Sequence, residues 1–562
     1  MPASLTESAG QPRLAGCPLC GSTALAYQFT HGTTAIVRCG DCSLLMRNPQ
    51  PSEAELAAIY THEYFIGHDG GEAGAGEADD TDRLKRGTAA GYLDAIEARL
   101  RADGQASSGL RLLEVGSGLG NLLAEAQARG HRVLGIEYAE SSVRLANTRL
   151  GAGTVRQGSL ESIELPASTF DVCVMADLLE HTRDPIAVLT AAWRALRPDG
   201  LLFLAVPSLD SWSARLMRQR WLEFKLEHLF YFDGQTIQSA LFRSGFDRVA
   251  VVQGRKTLSP QYVMRHFDRF PVPVLSPLAR LGQSLLPGSV RRRPFHVVAS
   301  GIDVVARRRP EAPPLERPLR LSVVMPVYNE RATVGVVIEQ VLAKTIPGVA
   351  IDLTIVESAS TDGTRDEVRR FERAPGVRVV WQERPRGKGH AVREGLASAT
   401  GDVILIQDAD LEYDVGDYDA LVEPIRSGRA AVVLGVRHGP TGTTWKMRHF
   451  TDQVVLSRVM NLGHYFFTFL FNTVYGTRLR DPFTMFKVFR RDCLYGLSFE
   501  ANRFDFDWEL LGKLTRAGYV PLEIPVNYTS RSFREGKKVS FWSDPLTWVR
   551  ACFKYRFVRI GK

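Results

Sequence analysis

A chain of 562 residues exceeds what one hydrophobic core serves, so two or three domains are expected. Its 44% apolar and 23% charged content excludes a disordered or fibrous chain. The formal charge of +8 suits anionic partners, but Lys and Arg are spread along the chain, which weighs against a nucleic-acid-binding arm.

Residues 1–13 read as disordered, with no basic stretch leading into an apolar run, so no secretory leader is expected. A compact segment follows at 14–48. It holds four of the seven cysteines, as Cys17-Pro18-Leu19-Cys20 and Cys39-Gly40-Asp41-Cys42. Four thiolates on two tight turns, eased by Gly21 and Gly40, can close a tetrahedral shell around Zn²⁺. A closed shell leaves no open coordination position, so the expected role is structural. The remaining cysteines, Cys173, Cys493 and Cys552, are isolated in apolar or aromatic contexts. That is a metal pattern in a reducing compartment rather than a disulfide framework. A nucleic-acid-binding ribbon would interleave basic and aromatic residues, and only Tyr27, Phe29, His31, Arg38 and Arg47 are at hand, so no nucleic-acid partner is expected.

Residues 69–82, rich in Gly, Ala and acid, read as a flexible connection. Over 80–255 short apolar strands alternate with amphipathic helices, which predicts a parallel sheet. A strand at 111–115 carries Glu114 into the turn Gly116-Ser117-Gly118-Leu119-Gly120, and a helix follows. Such glycines let a ligand approach the backbone, and the helix start favours negative charge. The spacing is not a dinucleotide fingerprint, because residue 121 is Asn. Glu137 ends the next strand, where a carboxylate can accept both ribose hydroxyls. His181 and His228 are candidate general bases for a methyl acceptor, and equally candidate structural histidines at strand ends. The proline-punctuated stretch 256–317, with Arg291-Arg292-Arg293 and Arg307-Arg308-Arg309, reads as a linker or surface subdomain.

Strand and helix alternation restarts over 318–562. Three strands end in acids: Tyr328-Asn329-Glu330 after 323–327, Glu357 to Asp362 after 353–356, and Gln407-Asp408-Ala409-Asp410 after 403–406. In an open α/β sheet such ends converge on one crevice. Asp408 and Asp410, two residues apart, can present a divalent cation to a diphosphate. Lys388, Lys537 and Lys538 are candidate phosphate clamps, the last two equally a solvated charged loop. Asp507 stands at a strand-to-helix junction as a candidate base or acceptor-positioning group. The aromatic run Tyr465–Phe471, flanked by Arg448, Arg458, Arg478 and Arg480, fits either an interfacial helix or a buried core helix. No uncharged run reaches the ~18 residues of a spanning helix.

Two resemblances carry these motifs further. Residues 110–252 resemble the class I S-adenosylmethionine-dependent methyltransferases through the glycine turn with Glu114 and Glu137, Phe170-Asp171-Val172-Cys173-Val174 leading to Leu179-Glu180-His181, and Leu196-Arg197-Pro198-Asp199-Gly200. The resemblance implies that Gly116, Gly118 and Gly120 hold the methionine moiety and Glu137 the ribose. Ser159 would lie over adenine, where many relatives have Asp. The cysteine set followed by Arg47-Asn48-Pro49-Gln50-Pro51 resembles a subgroup carrying a zinc module in front.

Residues 319–562 resemble the family 2, GT-A-fold glycosyltransferases, in particular the dolichyl-phosphate-mannose-synthase-like branch, through the acidic strand ends, Arg386-Gly387-Lys388-Gly389, Asp481-Pro482-Phe483-Thr484-Met485-Phe486-Lys487 and Arg534-Glu535-Gly536-Lys537-Lys538. The implied donor is a nucleoside-diphosphate sugar held by Pro326, Asn329, Glu330, Glu357, Asp362, Lys388, Asp408, Lys537 and Lys538. The implied reaction inverts the anomeric centre, with Mg²⁺ or Mn²⁺ at Asp408 and Asp410. Where relatives commonly have Asp-Asp this chain has Glu357-Ser358, which keeps one acceptor for base and ribose.

The expected architecture is thus α/β throughout: a zinc ribbon (14–48), a Rossmann-like methyltransferase sheet (80–255) and a separate GT-A domain (318–562). The expected function is a bifunctional transferase using S-adenosylmethionine and a nucleotide sugar, with a glycan or lipid-phosphate acceptor, in glycolipid or surface-polysaccharide assembly. It would be cytoplasmic, with a peripheral contact at the inner face of the membrane as an open reading. Two alternatives remain: a glycosyltransferase with a non-catalytic S-adenosylmethionine-binding scaffold, and a zinc-ribbon nucleic-acid binder.

Overall fold

The computed structural model describes residues 5–8, 11–59, 75–269, 277, 281, 286–437, 454–531 and 544–558. These fall into two units, Met1–Pro313 and Pro314–Lys562.

The sheet of the first unit runs, in spatial order, Val155–Gln157, Arg132–Glu137, Arg111–Val115, Phe170–Ala176, Leu196–Pro207, Phe295–Arg308 and Phe246–Leu258. The first five are parallel, and Phe295–Arg308 is antiparallel to both neighbours. Parallel strands covered on both faces need unbroken apolar runs. Val172 to Met175 and Leu201 to Leu204 supply them, all fully buried. Asp184 caps the helix Pro185–Ala195 by accepting the amides of Ile186 and Ala187, with proline at the first helical position.

Three sequence expectations change here. The stretch 256–317 is not a linker, because Phe295–Arg308 fills a place inside the sheet. Its Val297, Val298, Ile302, Val304 and Val305 are good strand formers. The flanking arginine clusters masked this signal: Arg307 is not on the surface but buried, donating to Asp103 (3.2 Å), Gln105 (2.7 Å) and the Asp199 carbonyl (3.1 Å). The supposed flexible connection 69–82 is helical from residue 75, within Ala75–Ala102. Finally, 14–48 is no free-standing module. Its strands Leu25–His31, Thr34–Cys39 and Leu45–Arg47 take Phe230–Tyr231 as a fourth strand, and Leu19, Leu44 and Met46 share one core with Leu113, Met175 and Leu204.

In the second unit the strand order is Val377–Trp381, Val349–Glu357, Leu319–Val327, Val403–Ile406, Lys487–Arg490, Val432–Val436 and Leu522–Pro525. The first four are parallel, and Lys487–Arg490 is antiparallel to both neighbours. Helix Lys388–Ser398 lies so close to the sheet that a Cβ on Gly395 would stand 2.3 Å from Val324 Cγ1. The aromatic run lies in helix Val454–Tyr475, and each reading of it holds for one face. Phe467 and Phe471 pack on Trp508, whereas Leu462 and Phe469 are each 70% exposed. Arg448 lies outside the described residues. Among those described, no helix is long and apolar enough to cross a membrane.

Phe203, fully buried in the first sheet and 5.0 Å from the Tyr92 ring, anchors helix Ala75–Ala102 to the strands. Phe203→Ala should lower the stability of the first unit by about 3–5 kcal/mol, read from urea unfolding; a cost under about 1 kcal/mol would show that this core is not close-packed.

Candidate functional site

In the first unit the glycine turn and the acid at the next strand end meet directly. Gly116, Gly118 and Gly120 all have positive φ, and a Cβ on Gly116 would lie 2.9 Å from Leu178. The Gly118 amide donates to Glu137 Oε2 (2.8 Å) and the Ala139 amide to Oε1 (2.9 Å). Glu114 lies beneath the turn, buried, with its Oε2 unpartnered, and burial pushes its carboxyl well up. Ser159 sits on the loop after Val155–Gln157 and pairs with the Ser162 hydroxyl (3.1 Å).

On the same edge, the 3-10 turn Leu179–His181 follows strand Phe170–Ala176. His181 and His228 stand edge to face, ring centroids 4.7 Å apart. Burial holds both imidazoles neutral: His181 is pushed down to about 4, and His228 well below its ordinary range. Glu180 Oε1 lies 3.9 Å from His181 Nε2, and burial pushes this carboxyl well up. Sequence reasoning missed Glu180, since an acid beside a turn carries no local signal of burial.

The ribbon determines where His228 stands. The Arg47 amide donates to the Leu229 carbonyl (2.9 Å), Arg47 Nη2 to the Lys225 carbonyl (3.0 Å), and Met46 pairs with Phe230. Within the ribbon, Cys17 and Cys42 sulfurs are 3.5 Å apart, as are those of Cys20 and Cys39. All four gather within 4.8 Å of one another. A tetrahedral Zn²⁺ shell with bonds of ~2.3 Å needs edges near 3.8 Å, so the four thiols fit one ion.

In the second unit a cavity of about 860 Å³ gathers Pro326, Glu330, Lys388, Asp408, Asp410 and Asp507. Lys388 Nζ pairs with Asp408 (2.6 Å), and Arg531 bridges Glu330 (3.0 Å) and Asp410. Burial and the neighbouring Asp408 and Glu412 charges push Asp410 up to about 7 in spite of Arg531. Asp507 is held by Lys487 (2.8 Å). Asn329 and Asp362 act inside the loops: Asn329 Oδ1 accepts the Thr361 amide (2.9 Å) and Asp362 those of Thr364 (3.0 Å) and Arg331 (3.2 Å).

Glu357 lies deeper than the other acids of the strand ends. It is fully buried, its oxygens accepting the Ser360 (2.7 Å) and Ala359 (3.2 Å) amides, so it braces its loop instead of facing the crevice. Lys537 and Lys538 lie outside the described residues. Arg531 and Arg437, which line the cavity, escaped sequence reasoning because single arginines beyond strand ends form no local pattern.

Comparison with known proteins assigns the two halves. Residues 86–251 match the family model described as a methyltransferase domain, and residues 322–497 that of glycosyl transferase family 2. The chain carries a methyltransferase domain and a family 2 glycosyltransferase domain. A methyltransferase domain implies S-adenosylmethionine, and family 2 glycosyltransferases commonly use a divalent metal.

Among relatives, glycosyltransferase AglD of Haloferax volcanii is 28% identical over 243 residues, 42% of this chain and 35% of its own length. The dolichol-phosphate mannosyltransferase of Pyrococcus furiosus is 22% identical over 39% of this chain and 61% of its own. The dolichyl-phosphate beta-glucosyltransferase of Homo sapiens is 28% identical over 43% of this chain and 75% of its own. The chain thus spans about a third and three-fifths of the first two relatives. Among solved structures, a SAM-dependent methyltransferase of Thermotoga maritima is similar at TM-score 0.29 and 19% identity, covering 42% of this chain and 96% of its own. Glucosyl-3-phosphoglycerate synthase of Mycobacterium tuberculosis is similar at TM-score 0.31 and 22% identity, covering 43% and 81%.

Removing Arg531 strands two carboxylates in a half-closed cavity. Arg531→Met should destabilise the second unit by about 2 kcal/mol, given the pair's partial exposure, as read from denaturant unfolding by tryptophan fluorescence. No change would show that the bridge is dispensable. Cys39→Ser should speed amide exchange across 225–232 as well as in the ribbon, whereas exchange rising in the ribbon alone would deny the link through Arg47.

Proposed function

We propose that this chain is a bifunctional transferase. The second unit would move a sugar, with inversion, from a nucleoside diphosphate to a lipid-phosphate acceptor, and the first would move a methyl group from S-adenosylmethionine, in glycolipid or surface-polysaccharide assembly. The observation that carries the glycosyl half is the composition of its cavity. Lys388, Asp408, Asp410 and Arg531 make a charged end suited to a metal diphosphate, while Val459, Met460, Phe467, Phe483, Trp508 and Leu546 make an apolar wall. A soluble glycan would cover only the aromatic faces of such a wall, whereas a lipid chain buries its aliphatic side chains as well. Two relatives named for dolichyl-phosphate chemistry support the same acceptor class.

Mg²⁺ or Mn²⁺ at Asp408 and Asp410 would neutralise charge on the leaving diphosphate. For the donor to bind, Lys388 and Arg531 exchange these carboxylates for phosphate oxygens, which they reach as cations already at the site. Asp507, ion-paired with Lys487, positions the acceptor, since a phosphate nucleophile needs no strong base. The outward Leu462, Phe466 and Phe469, with exposed Arg458 on the same helix, support a peripheral membrane contact where such an acceptor is found.

In the first unit, S-adenosylmethionine supplies an already activated methyl, so the protein has mainly to align the acceptor and accept its proton. The Gly118–Glu137 pair holds the nucleoside, and the neutral His181 and His228 face the acceptor. Cys17, Cys20, Cys39 and Cys42 would hold a structural Zn²⁺, and through Arg47 and Met46 the ribbon keeps the His228 segment in place.

The test is a pair of assays on the full chain: label transfer from a nucleotide-sugar panel with Mn²⁺ onto a polyprenyl phosphate, and label transfer from S-adenosylmethionine onto cell extract. Asp408→Asn with Asp410→Asn should cut sugar transfer at least ~100-fold and spare methyl transfer. Gly118→Arg, placed at φ 49°, should do the reverse. Sugar transfer surviving the double change, or methyl transfer surviving Gly118→Arg, refutes the corresponding site.

A further inference from the structure

Glu180, His181 and His228 are drawn from two chain segments and meet at the carboxyl edge of the first sheet. Each offers a ligand atom, and these atoms lie within 4.8 Å of one another. Glu180 Oε1 and His181 Nε2 are 3.9 Å apart, against about 3.4 Å for two ligands bound at about 2.1 Å to a tetrahedral ion, so a side-chain adjustment of about 0.5 Å closes them on one ion. The Leu229 amide donates to the Glu180 carbonyl (2.8 Å), which fixes the two segments against each other. His228 is only 3% exposed and Glu180 1%.

The group is incomplete as it stands. Both carboxyl oxygens of Glu180 and Nδ1 of His228 are buried without a hydrogen-bond partner. Three orphaned polar atoms in one place are costly, at about 1–3 kcal/mol each. The nearby ammonium groups do not relieve them: Lys225 pairs with Glu223 (3.0 Å) and Lys256 with Asp177 (2.7 Å). Two imidazoles and a carboxylate suit a borderline divalent ion such as Zn²⁺, and three ligands leave a position open.

We propose that Glu180, His181 and His228 bind a divalent cation of the Zn²⁺ class, separate from the ribbon ion, whose open position receives an oxygen of the methyl acceptor. This rests on the methyltransferase reading above and changes the two histidines from proton acceptors to ligands. It also commits the acceptor to carry an oxygen donor, a hydroxyl or carboxylate, beside the methylated atom.

Metal content and Co²⁺ substitution of the full chain test it. The wild type should hold one more tightly bound Zn²⁺ than Glu180→Gln and than His228→Gln, by elemental analysis after dialysis. On Co²⁺ substitution it should show a visible ligand-field component with nitrogen and oxygen ligation that both variants lose. The thiolate-to-cobalt charge-transfer band of the ribbon, unchanged in each variant, reports that the unit is folded. A variant lacking that band is replaced by His181→Gln. Equal metal content in wild type and folded variants, or an unchanged ligand-field component, overturns the proposal and returns the histidines to proton transfer. That outcome leaves the methyltransferase reading intact, which falls instead if Gly118→Arg retains S-adenosylmethionine binding.

Discussion

A carboxylate taken out of water has to find positive charge, and both sites of this chain are organised by how that need is met. In the second unit Asp408 and Asp410 end a strand whose residues are wholly apolar, so neither acid can turn back into the sheet. Lys388 and Arg531 come to them from a helix start and from beyond the last strand, and Glu330 joins through the same guanidinium. The bridge ties together chain segments far apart in sequence. It also means that the crevice is stocked with the cations a diphosphate requires. In the first unit Glu180 has no comparable partner, and that difference sets the two sites apart.

The ribbon shows a related economy. Its four cysteines cluster at one end, while its link to the rest of the unit is a short strand pairing, Met46 with Phe230, and the two hydrogen bonds of Arg47. The loop bearing His228 is thereby held from two sides, by the ribbon and by the Glu180 carbonyl that accepts the Leu229 amide. Clipping it to the sheet that carries the cysteine cluster limits its freedom at a point where position matters more than stability.

How much of this was legible in the sequence depends on the range of each interaction. The glycine turn, Glu137 and the Asp408–Asp410 pair could be read because strand, turn and acid are consecutive. Strand Phe295–Arg308 could not, because its alternation is flanked by arginines that look solvated until Asp103 and Gln105 are brought to Arg307 by the fold. The burial of Glu357 could not be read either: its spacing marks an acid at a strand end, while the Ala359 and Ser360 amides that its oxygens accept come from the turn of its own loop. Arg531 matters through partners distant in sequence, and the burial of Glu180 depends on the His228 segment brought against it, so no local pattern announces either.

The hairpin of Phe246–Leu258 and Phe295–Arg308 has one more property. Its two strands stay paired to Leu258 and Phe295, beyond the point where the neighbouring strand ends at Pro207 opposite Gly301. The chain between them, 259–294, is therefore paid out from the ligand edge of the sheet, while the buried registers lie on either side of it. Ser259 and Met264 within it are buried, whereas Pro287, Gly288, Val290 and Arg292 to Pro294 are exposed and can be exchanged without disturbing the core. In a lineage of such chains, the cofactor end would stay fixed while this insert drifted, and acceptor choice could diversify on an unchanged fold.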